Sequence, residues 1–477
     1  MIKDVIKGLH RGAKHGVLTS KQGRNFYKGN KSGSTGRHTK HGSYVVEWSK
    51  VRTYVVPDMT DFKLVSKSDF ISLDTEFTGI KLEQPSDELA LDYGKWNNRN
   101  KDIGERYKAL RLLVSTHSLV SLGMSIFTKK QSESNTTNYI SNNFNFILWC
   151  QNTHLVSPSS ISFLSESGFD FNFQIQQGIR FVVPAPMPKS KQEEVKDKPA
   201  KRRATSGSLS NSKVSETNDG RIMRDLIVSV FKGPGSIVIH NGLLDLMFIY
   251  HTFIAKLPES ISTFIMDICD LASAPIFDTK YLAEYVSRDE ASFLAYLYEK
   301  RKRYAQSSTN TINIEIRDEI QLFGIDLTPN KQPDDTQQQQ TKKTGLPYCE
   351  TFALYGYCSL IKCPLSHDIK FILDYKEASP QQRKLMKLEF DSNNPKPNNT
   401  ESGKPTINGS LSSYHSAVFD AHMTGYIFAI SSSMESVDSH KNKIYLIGKD
   451  FPLCIEPSKF SKHSEDYNEF KSKKFKT

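Results

Sequence analysis

Two acidic side chains on a short apolar stretch are the first candidates for chemistry in this sequence. Asp74 and Glu76 lie within residues 70–79, whose apolar and β-favouring side chains before a glycine predict a core strand. Because side chains alternate along a strand, the two carboxylates share one face. Burying both is costly, so we expect divalent cations beside them. A solvated edge strand or a pair of helix-capping acids would give the same Asp-x-Glu pattern.

Two later segments contain further acids and a histidine. Asp245 follows the predicted buried strand 235–240 in the first turn of a helix, where α/β folds place ligands, although an acid there can also be a simple helix charge. Positions five apart differ by about 140° on a helix of ~3.6 residues per turn, so His415 can meet Asp420 only from the lead-in before a helix. An imidazole beside a carboxylate-held metal pair suits a general base. A lone histidine before a helix can equally be a cap.

A cluster of cysteines and one histidine predicts a structural zinc site. The spacing Cys-x8-Cys-x4-Cys-x3-His fits a CCCH finger, although such fingers usually have five residues in the second gap. Three thiolates and one imidazole complete the tetrahedral shell of Zn²⁺ and leave no open position for catalysis. Unrelated buried cysteines are the alternative. The four predicted ligands are Cys349, Cys358, Cys363 and His367.

Aromatic residues between these ligands are candidates for RNA contact. Single-stranded RNA is usually gripped by stacking its bases on aromatic rings. The candidates are Phe352, Tyr355 and Tyr357.

The use of cysteine indicates the redox environment of the protein. Six cysteines at uneven spacing, three of them clustered, favour metal binding in a reducing environment over a disulfide framework.

Composition divides the chain into an arm and a globular part. Residues 1–44 contain ten Lys or Arg and one acid, and so carry most of the formal net charge of +11. Such an arm suits phosphate neutralisation, although charge runs are often merely solvated. No apolar run is long enough to cross a membrane, so we expect no membrane partner. The whole sequence is 37% hydrophobic, and the part after the arm is long enough for a large mixed α/β core of a sheet flanked by helices.

The pattern of polar interruptions gives the predicted domain organisation. The short basic run 198–203, in an unstructured insertion, could serve as a nuclear-import signal, a pattern of low specificity. The predicted divisions are a basic arm at 1–66, a catalytic domain's first part at 67–328 with the insertion at 185–218, a polar linker at 329–345, the finger at 346–371, a second linker at 372–410, the domain's last part at 411–455 and a basic tail at 456–477.

The order of the acidic motifs and the amino-acid sequence around them resemble those of a known family. The segments "DTEFTGI", "HNGLLDLMFIY" and "FDAHMTGYIFA" are similar to those of the poly(A)-specific ribonuclease group of DEDD exonucleases, in the variant with a catalytic histidine, and most closely to its nuclear members with a CCCH finger. The resemblance implies a ribonuclease-H-like fold and 3′→5′ trimming of oligo(A) or poly(A) tails and of small nuclear RNA 3′ ends. It implies two Mg²⁺ ions ~3.5–4 Å apart. The implied ligands are Asp74, Glu76, Asp245 and Asp420, with His415 as general base. Asp278 of "FDTK" belongs to the shared sequence, either as an acid that supports the metal ligands or as a structural acid.

The arm resembles a different family. The text "KQGRNFYKGNKSGSTGRHTKHGSYVV" is similar to a fungal-type mitochondrial large-subunit ribosomal protein over about the first 65 residues. This resemblance implies a mitochondrial location and contact with ribosomal RNA, whereas the other implies the nucleus. A genuine fusion and two neighbouring genes joined in one predicted sequence are both open. The oligomeric state also stays open.

Overall fold

A computed structural model describes most of the catalytic part of the chain. The described residues form two units, divided after Pro57. In the first unit, β1 (Gly36–His38) pairs antiparallel with β2 (Tyr44–Val46). Outside the described residues lie the predicted linker 329–345 and residues 185–216 of the predicted insertion. The described ranges are 36–38, 44–46, 63–80, 102–130, 137–183, 217–307, 312–317, 346–360, 363–393 and 416–474.

The second unit is built on a mixed sheet flanked by helices, as predicted. Its nine described strands have the order β11-β10-β8-β7-β3-β4-β5-β6, and β9 also pairs with β5. The strands β3, β4 and β5 form an antiparallel meander, whereas β7 and β8 run parallel to β3. The strands are β3 (Phe70–Phe77), β4 (Leu119–Lys130), β5 (Thr137–Cys150), β6 (Ile179–Phe181), β7 (Ser236–Ile239), β8 (Ile276–Asp278), β9 (Ile312–Arg317), β10 (Lys443–Ile444) and β11 (Leu453–Cys454).

Helices cover both faces of this sheet. The helices α2 and α5 to α7 pack on one face, and α13 packs on the other. In the part of the chain that the structure describes, none of them combines the length and apolar character that crossing a membrane requires. The helices are α1 (Lys63–Ser66), α2 (Ile103–Thr116), α3 (Pro158–Glu166), α4 (Phe171–Gln177), α5 (Asn218–Lys232), α6 (Leu243–Phe253), α7 (Ile261–Leu271), α8 (Thr279–Tyr281), α9 (Leu294–Ser307), α10 (Glu350–Tyr355), α11 (Ile369–Glu377), α12 (Pro380–Asn393), α13 (Ala417–Met434) and α14 (Glu465–Lys474).

Strand β3 lies inside the sheet, and its side chains alternate between two hydrophobic clusters on opposite faces of the sheet. Ile71 and Leu73 are at most 1% exposed and enter the core under α2 and α5 to α7. Phe70 points to the opposite face, where it stacks on Phe127 at 4.6 Å. The same period carries the acids of β3 to the α13 face, because Asp74 and Glu76 follow Phe70 at even spacing.

Three predicted boundaries need correction. The arm was predicted to end at residue 66, but the second unit begins at Asp58 because Val65, 3% exposed, packs in its core. The linker predicted at 372–410 is helical through residue 393, since Leu373 and Tyr375 are buried on α11. The basic tail predicted at 456–477 contains α14, which docks through the fully buried Tyr467.

A buried ion pair connects the turn before α9 to the helices. Asp289 accepts hydrogen bonds from Arg301 at 2.6 and 3.2 Å, and their side chains are 3% and 2% exposed. Arg301 also donates to Ser431 on α13 at 3.0 Å. Removing one partner of a buried pair leaves an uncompensated charge in the core.

Asp289→Ala is therefore expected to lower the free energy of unfolding by about 3 kcal/mol or more, measured by denaturant titration. The matched control is Asp374→Ala, whose carboxylate is 56% exposed and pairs with Arg303. A surface pair of this kind contributes at most about 1 kcal/mol. Equal losses in the two variants would contradict the assignment of a stability role to the buried pair.

Candidate functional site

Three carboxylates converge at the end of β3. Asp74, Glu76 and Asp420 each offer an oxygen within 4.8 Å of the others. The first two come from one face of β3, and the third from the first turn of α13, which packs on that face. Asp420 is 9% exposed, so the group lies largely out of bulk water. The structure thus brings together three of the four acids predicted from the sequence, and their role as metal ligands stays a prediction.

Close packing of α13 on the sheet brings Asp420 to the strand. Ser72 on β3 donates a hydrogen bond to the carbonyl of Ala421 at 2.6 Å. Gly123 on β4 lies beside Asp74 in the strand register, and a Cβ there would lie 1.9 Å from the carbonyl oxygen of Ala417. A side chain on β4 at this point would displace the start of the helix. The sequence gives no sign of this requirement, because Gly123 reads as an ordinary residue of an apolar strand.

Asp245 approaches from the opposite face of β3. It lies in the first turn of α6, as predicted, and its carboxylate accepts a hydrogen bond from the Thr75 hydroxyl. Thr75 alternates with Asp74 and Glu76, so its side chain points to the α6 face. Asp245 is not part of the group within 4.8 Å, but its charge acts on both Asp74 and Glu76. The hydroxyl of Thr75 is a site contact that the sequence analysis missed.

A buried acid fixes the turn that leads to Asp245. Asn241 has a positive φ of 55°, and its N–H donates to the carboxylate of Asp278 at 2.9 Å. The same carboxylate accepts hydrogen bonds from the N–H groups of Lys280 and Tyr445. Asp278 is fully buried, and its contacts agree with the structural role predicted for it.

The acids disfavour one another's charge in the absence of a cation. Burial, with the charges of Asp420, Asp245 and Glu76, raises the pKa of Asp74 well above its usual value. Burial and Asp245 raise the pKa of Glu76 to about 8, and burial raises that of Asp245 to about 6. Burial and Glu76 raise the pKa of Asp420 as well. A bound divalent cation would reverse this penalty, and carboxylate oxygens are the ligands that Mg²⁺ and Mn²⁺ prefer.

His415, the predicted general base, lies outside the described residues. The described chain resumes at Ser416, the N-cap of α13, and the helix begins at Ala417. His415 therefore precedes the helix in the chain, as the sequence argument requires. Its position relative to the acids stays a prediction.

A cavity of about 230 Å³ opens beside the acids. Asp74 and Asp245 contribute its polar wall, and Tyr107 and Leu243 contribute part of its apolar wall. Polar groups on one wall of an otherwise apolar cleft are the usual form of a small-molecule or substrate site.

The cysteine cluster also comes together. One ligand atom from each of Cys349, Cys358, Cys363 and His367 lies within 4.8 Å of the others, and the Sγ atoms of the first two are 3.7 Å apart. Nε2 of His367 is buried without a hydrogen-bond partner among the described residues. Burial lowers the pKa of His367, which favours the neutral ring that binds metal. This donor set fits a structural Zn²⁺ ion.

One of the three predicted RNA-contacting rings needs correction. Phe352 is 3% exposed and stacks on His367, with ring centroids 4.5 Å apart and an interplanar angle of 12°. Its ring is therefore not available to a base. Tyr355 and Tyr357 are 62% and 64% exposed, with their rings 6.0 Å apart.

The mixed sheet flanked by helices agrees with the mixed α/β fold class that the sequence predicted, and the clustered acids lie at its strand β3. The chain belongs to the CAF1 ribonuclease family, whose model, "CAF1 family ribonuclease", matches residues 57–428. The poly(A)-specific ribonuclease PARN of Danio rerio is 33% identical over 27% of this chain, and PNLDC1 of Mus musculus is 29% identical over 25%. The chain spans only 19% and 22% of these two relatives.

A second family covers the N-terminal part. The model "Mitochondrial ribosomal protein L27" matches residues 10–101, beyond the limit predicted at 66 and overlapping the ribonuclease match. The large ribosomal subunit protein mL41 of Neurospora crassa is 40% identical over 20% of this chain and 92% of its own length.

Among solved structures, Schizosaccharomyces pombe Pop2p in a Mg²⁺- and Mn²⁺-bound form is similar at a TM-score of 0.33 and 17% identity. That similarity covers 50% of this chain and 75% of Pop2p.

Proposed function

We propose that this protein is a metal-dependent 3′→5′ exoribonuclease that removes oligo(A) or poly(A) from RNA ends. The observation that carries the proposal is the approach of Asp74, Glu76 and Asp420 within 4.8 Å, with Asp245 acting on them from the opposite face of β3. Membership of the CAF1 ribonuclease family and similarity to the named poly(A)-specific ribonucleases support the reaction and the substrate. The 3′ ends of small nuclear RNAs are a narrower substrate that we also propose.

The four acids are proposed to hold two Mg²⁺ ions. When bound, the ions lower the pKa of water and stabilise the charge that develops on the departing 3′ oxygen. Asp74 and Glu76 are held in the sheet because β3 pairs with β4 along its whole length. Thr75 orients the carboxylate of Asp245 through its hydroxyl. His415 is proposed to accept the proton of the attacking water, because an imidazole titrates near neutral pH.

We assign Zn²⁺ to the finger as a structural ion. The chemistry of three thiols and a neutral imidazole supports this assignment. The thiols must lose protons to bind it, and burial with the neighbouring cysteines raises the pKa of Cys363 to about 12, so metal binding should release protons. The exposed rings of Tyr355 and Tyr357 are proposed to stack on bases of the RNA.

A second function is supported by the N-terminal match. Coverage of 92% of an mL41 protein favours a structural role in the mitochondrial large ribosomal subunit, with basic residues contacting ribosomal RNA. The run 198–203 favours the nucleus for the enzyme, whereas the ribosomal segment favours the mitochondrion. Transcripts that read continuously across the codons for residues 57–69 would establish a fused product. Their absence would separate the arm from the enzyme.

The enzymatic proposal is tested with purified full-length chain and a 5′-labelled RNA that ends in oligo(A). With Mg²⁺ we expect stepwise shortening from the 3′ end and release of AMP, and without added Mg²⁺ no shortening. A matched RNA with a blocked 3′ hydroxyl should stay intact. Internal cleavage, or no shortening of the unblocked RNA, would contradict the proposal.

Gly123→Ala is expected to lower the trimming rate about tenfold or more, because its new Cβ would displace the start of the Asp420 helix. The matched control is Gly178→Ala, whose Cβ would lie 2.4 Å from the carbonyl oxygen of Gln174, away from the acids. Both variants should lose stability in thermal melts, but only the first should bind Mn²⁺ more weakly. Equal Mn²⁺ affinity in the two would show that Gly123 affects stability alone.

A further inference from the structure

The zinc finger is packed into the nuclease core. The finger here means the described residues 346–360 and 363–377. Its buried Cys349 and Phe352 belong to one apolar cluster with Tyr296 and Leu297 of α9. Phe293, just before α9, lies against the finger ring of Phe352 at 6.0 Å between centroids. A zinc ligand and the nuclease helix α9 therefore share one hydrophobic core.

The fit at Phe293 is close enough to be specific. Gly356 ends α10 with a φ of +75°, and a Cβ there would lie 2.7 Å from the Phe293 ring. Only glycine meets both the backbone and the space requirement at this point. The turn between the first two zinc ligands is thus shaped to the surface of the nuclease.

Charged contacts hold the other side of the finger to α9 and the turn before it. Lys376 on α11 donates to Glu290 at 2.6 Å. Arg303 on α9 donates to Asp374 at 2.7 Å, and to the carbonyl of Lys370 at 2.9 Å. Exposed pairs of this kind contribute little energy, but they fix the orientation of two surfaces already joined by an apolar core.

Helix α9 also supports the helix that carries Asp420. Tyr298 packs edge-to-face on Tyr426 of α13, with ring centroids 5.1 Å apart. Ile427 of α13, 1% exposed, is a member of the same buried cluster as Cys349 and Phe352. The path from a zinc ligand to the Asp420 helix therefore consists of continuous side-chain packing.

We propose that the zinc-bound finger stabilises the packing of the nuclease, so that zinc occupancy controls the order of α13 and with it the position of Asp420. The inference rests on the zinc assignment made above and deepens the proposed function. The finger without metal has too small a core to fold alone, so zinc loss removes the surface that supports α9. The active site then loses order although none of its own residues has changed.

Hydrogen exchange of the full chain tests this without RNA. With Mg²⁺ in excess, a zinc-selective chelator is expected to speed exchange in peptides from α13 and α9 on the order of tenfold or more, as well as in the finger. Peptides from α14, which docks on the far side of the sheet, should keep their protection. Faster exchange confined to the finger, or a purified chain that contains no zinc, would overturn the proposal.

Variants separate metal binding from docking. Phe293→Ala is expected to keep one zinc ion per chain by metal analysis, yet to speed exchange in α13 as chelation does. The matched control is Leu354→Ala, because this finger residue is 43% exposed and should leave exchange in α13 unchanged. Wild-type exchange in α13 with Phe293→Ala would overturn the docking argument. These measurements do not use RNA, so they test the structural role of zinc even if the chain fails to trim RNA.

Discussion

Replacing Asp74 with Asn is expected to reduce 3′ trimming of oligo(A) RNA on the order of 10³-fold or more. Asn has nearly the same shape but no negative charge, so the strand keeps its packing while the proposed metal site loses a ligand. Asp420→Asn should have a similar effect, because its carboxylate lies in the same group. The measurement is the single-turnover rate with saturating enzyme and Mg²⁺, which separates chemistry from binding.

The control for these variants is an acid outside the site. Asp270 is held by Lys471 and Tyr467 at the docking surface of α14, so Asp270→Asn should trim RNA at the wild-type rate. Affinity for RNA, measured by fluorescence anisotropy without added Mg²⁺, should be the same in all variants. Asp74→Asn protein that trims as fast as wild type would remove the carboxylates from the mechanism and leave them a structural role.

Local features of the catalytic strand could be predicted from sequence. The alternation along residues 70–77 correctly placed Asp74 and Glu76 on one face, because strand period is a local property. The helix start before Asp245 was equally local, since a buried strand and then an apolar helix surround it. These signals could not give the distance between Asp420 and the acids of β3. Asp420 comes close to β3 only because Gly123, on another strand, has no side chain to displace the start of its helix.

The errors have a common physical cause. Residues 372–393 were predicted to be part of a linker because polar residues and Pro dominate the predicted segment 372–410. Leu373 and Tyr375 nevertheless form the buried face of α11. Phe352 was predicted to contact RNA, although it packs on His367 and Phe293. In both cases part of the partner surface belongs to the nuclease, far away in sequence. A finger considered alone cannot reveal which of its apolar side chains is covered.

The same carboxylates that are proposed to catalyse should destabilise the metal-free protein as pH rises. The pKa of Glu76 is raised to about 8 and that of Asp245 to about 6, both above their values in an unfolded chain. Between pH ~4 and about 8 the folded state therefore holds protons that the unfolded state has released. The folded state loses this advantage as pH rises through the folded pKa values, so stability in Mg²⁺-free buffer without chelator should fall from pH 5 to pH 8.

Glu76→Gln isolates this effect from catalysis. At pH 8 in Mg²⁺-free buffer without chelator the variant should melt at a higher temperature than wild type, by about 5 °C, because one buried charge is gone. At pH 5, where Glu76 in the folded wild type is already protonated, the two should melt together. Added Mg²⁺ should raise the wild-type melting temperature more at pH 8 than at pH 5, and should raise that of Glu76→Gln less, because ligand binding stabilises only the folded state.

A variant that is more stable without metal and inactive with it would distinguish a functional acid from a structural one. A structural carboxylate contributes hydrogen bonds to the fold, so replacing it lowers the melting temperature at every pH at which it is charged. Asp278, which accepts several backbone hydrogen bonds, provides that contrast, and Asp278→Asn should melt below wild type. If Glu76→Gln also melted below wild type at pH 8 in Mg²⁺-free buffer without chelator, the charge cluster would be stabilising the fold and the metal-site assignment would fail.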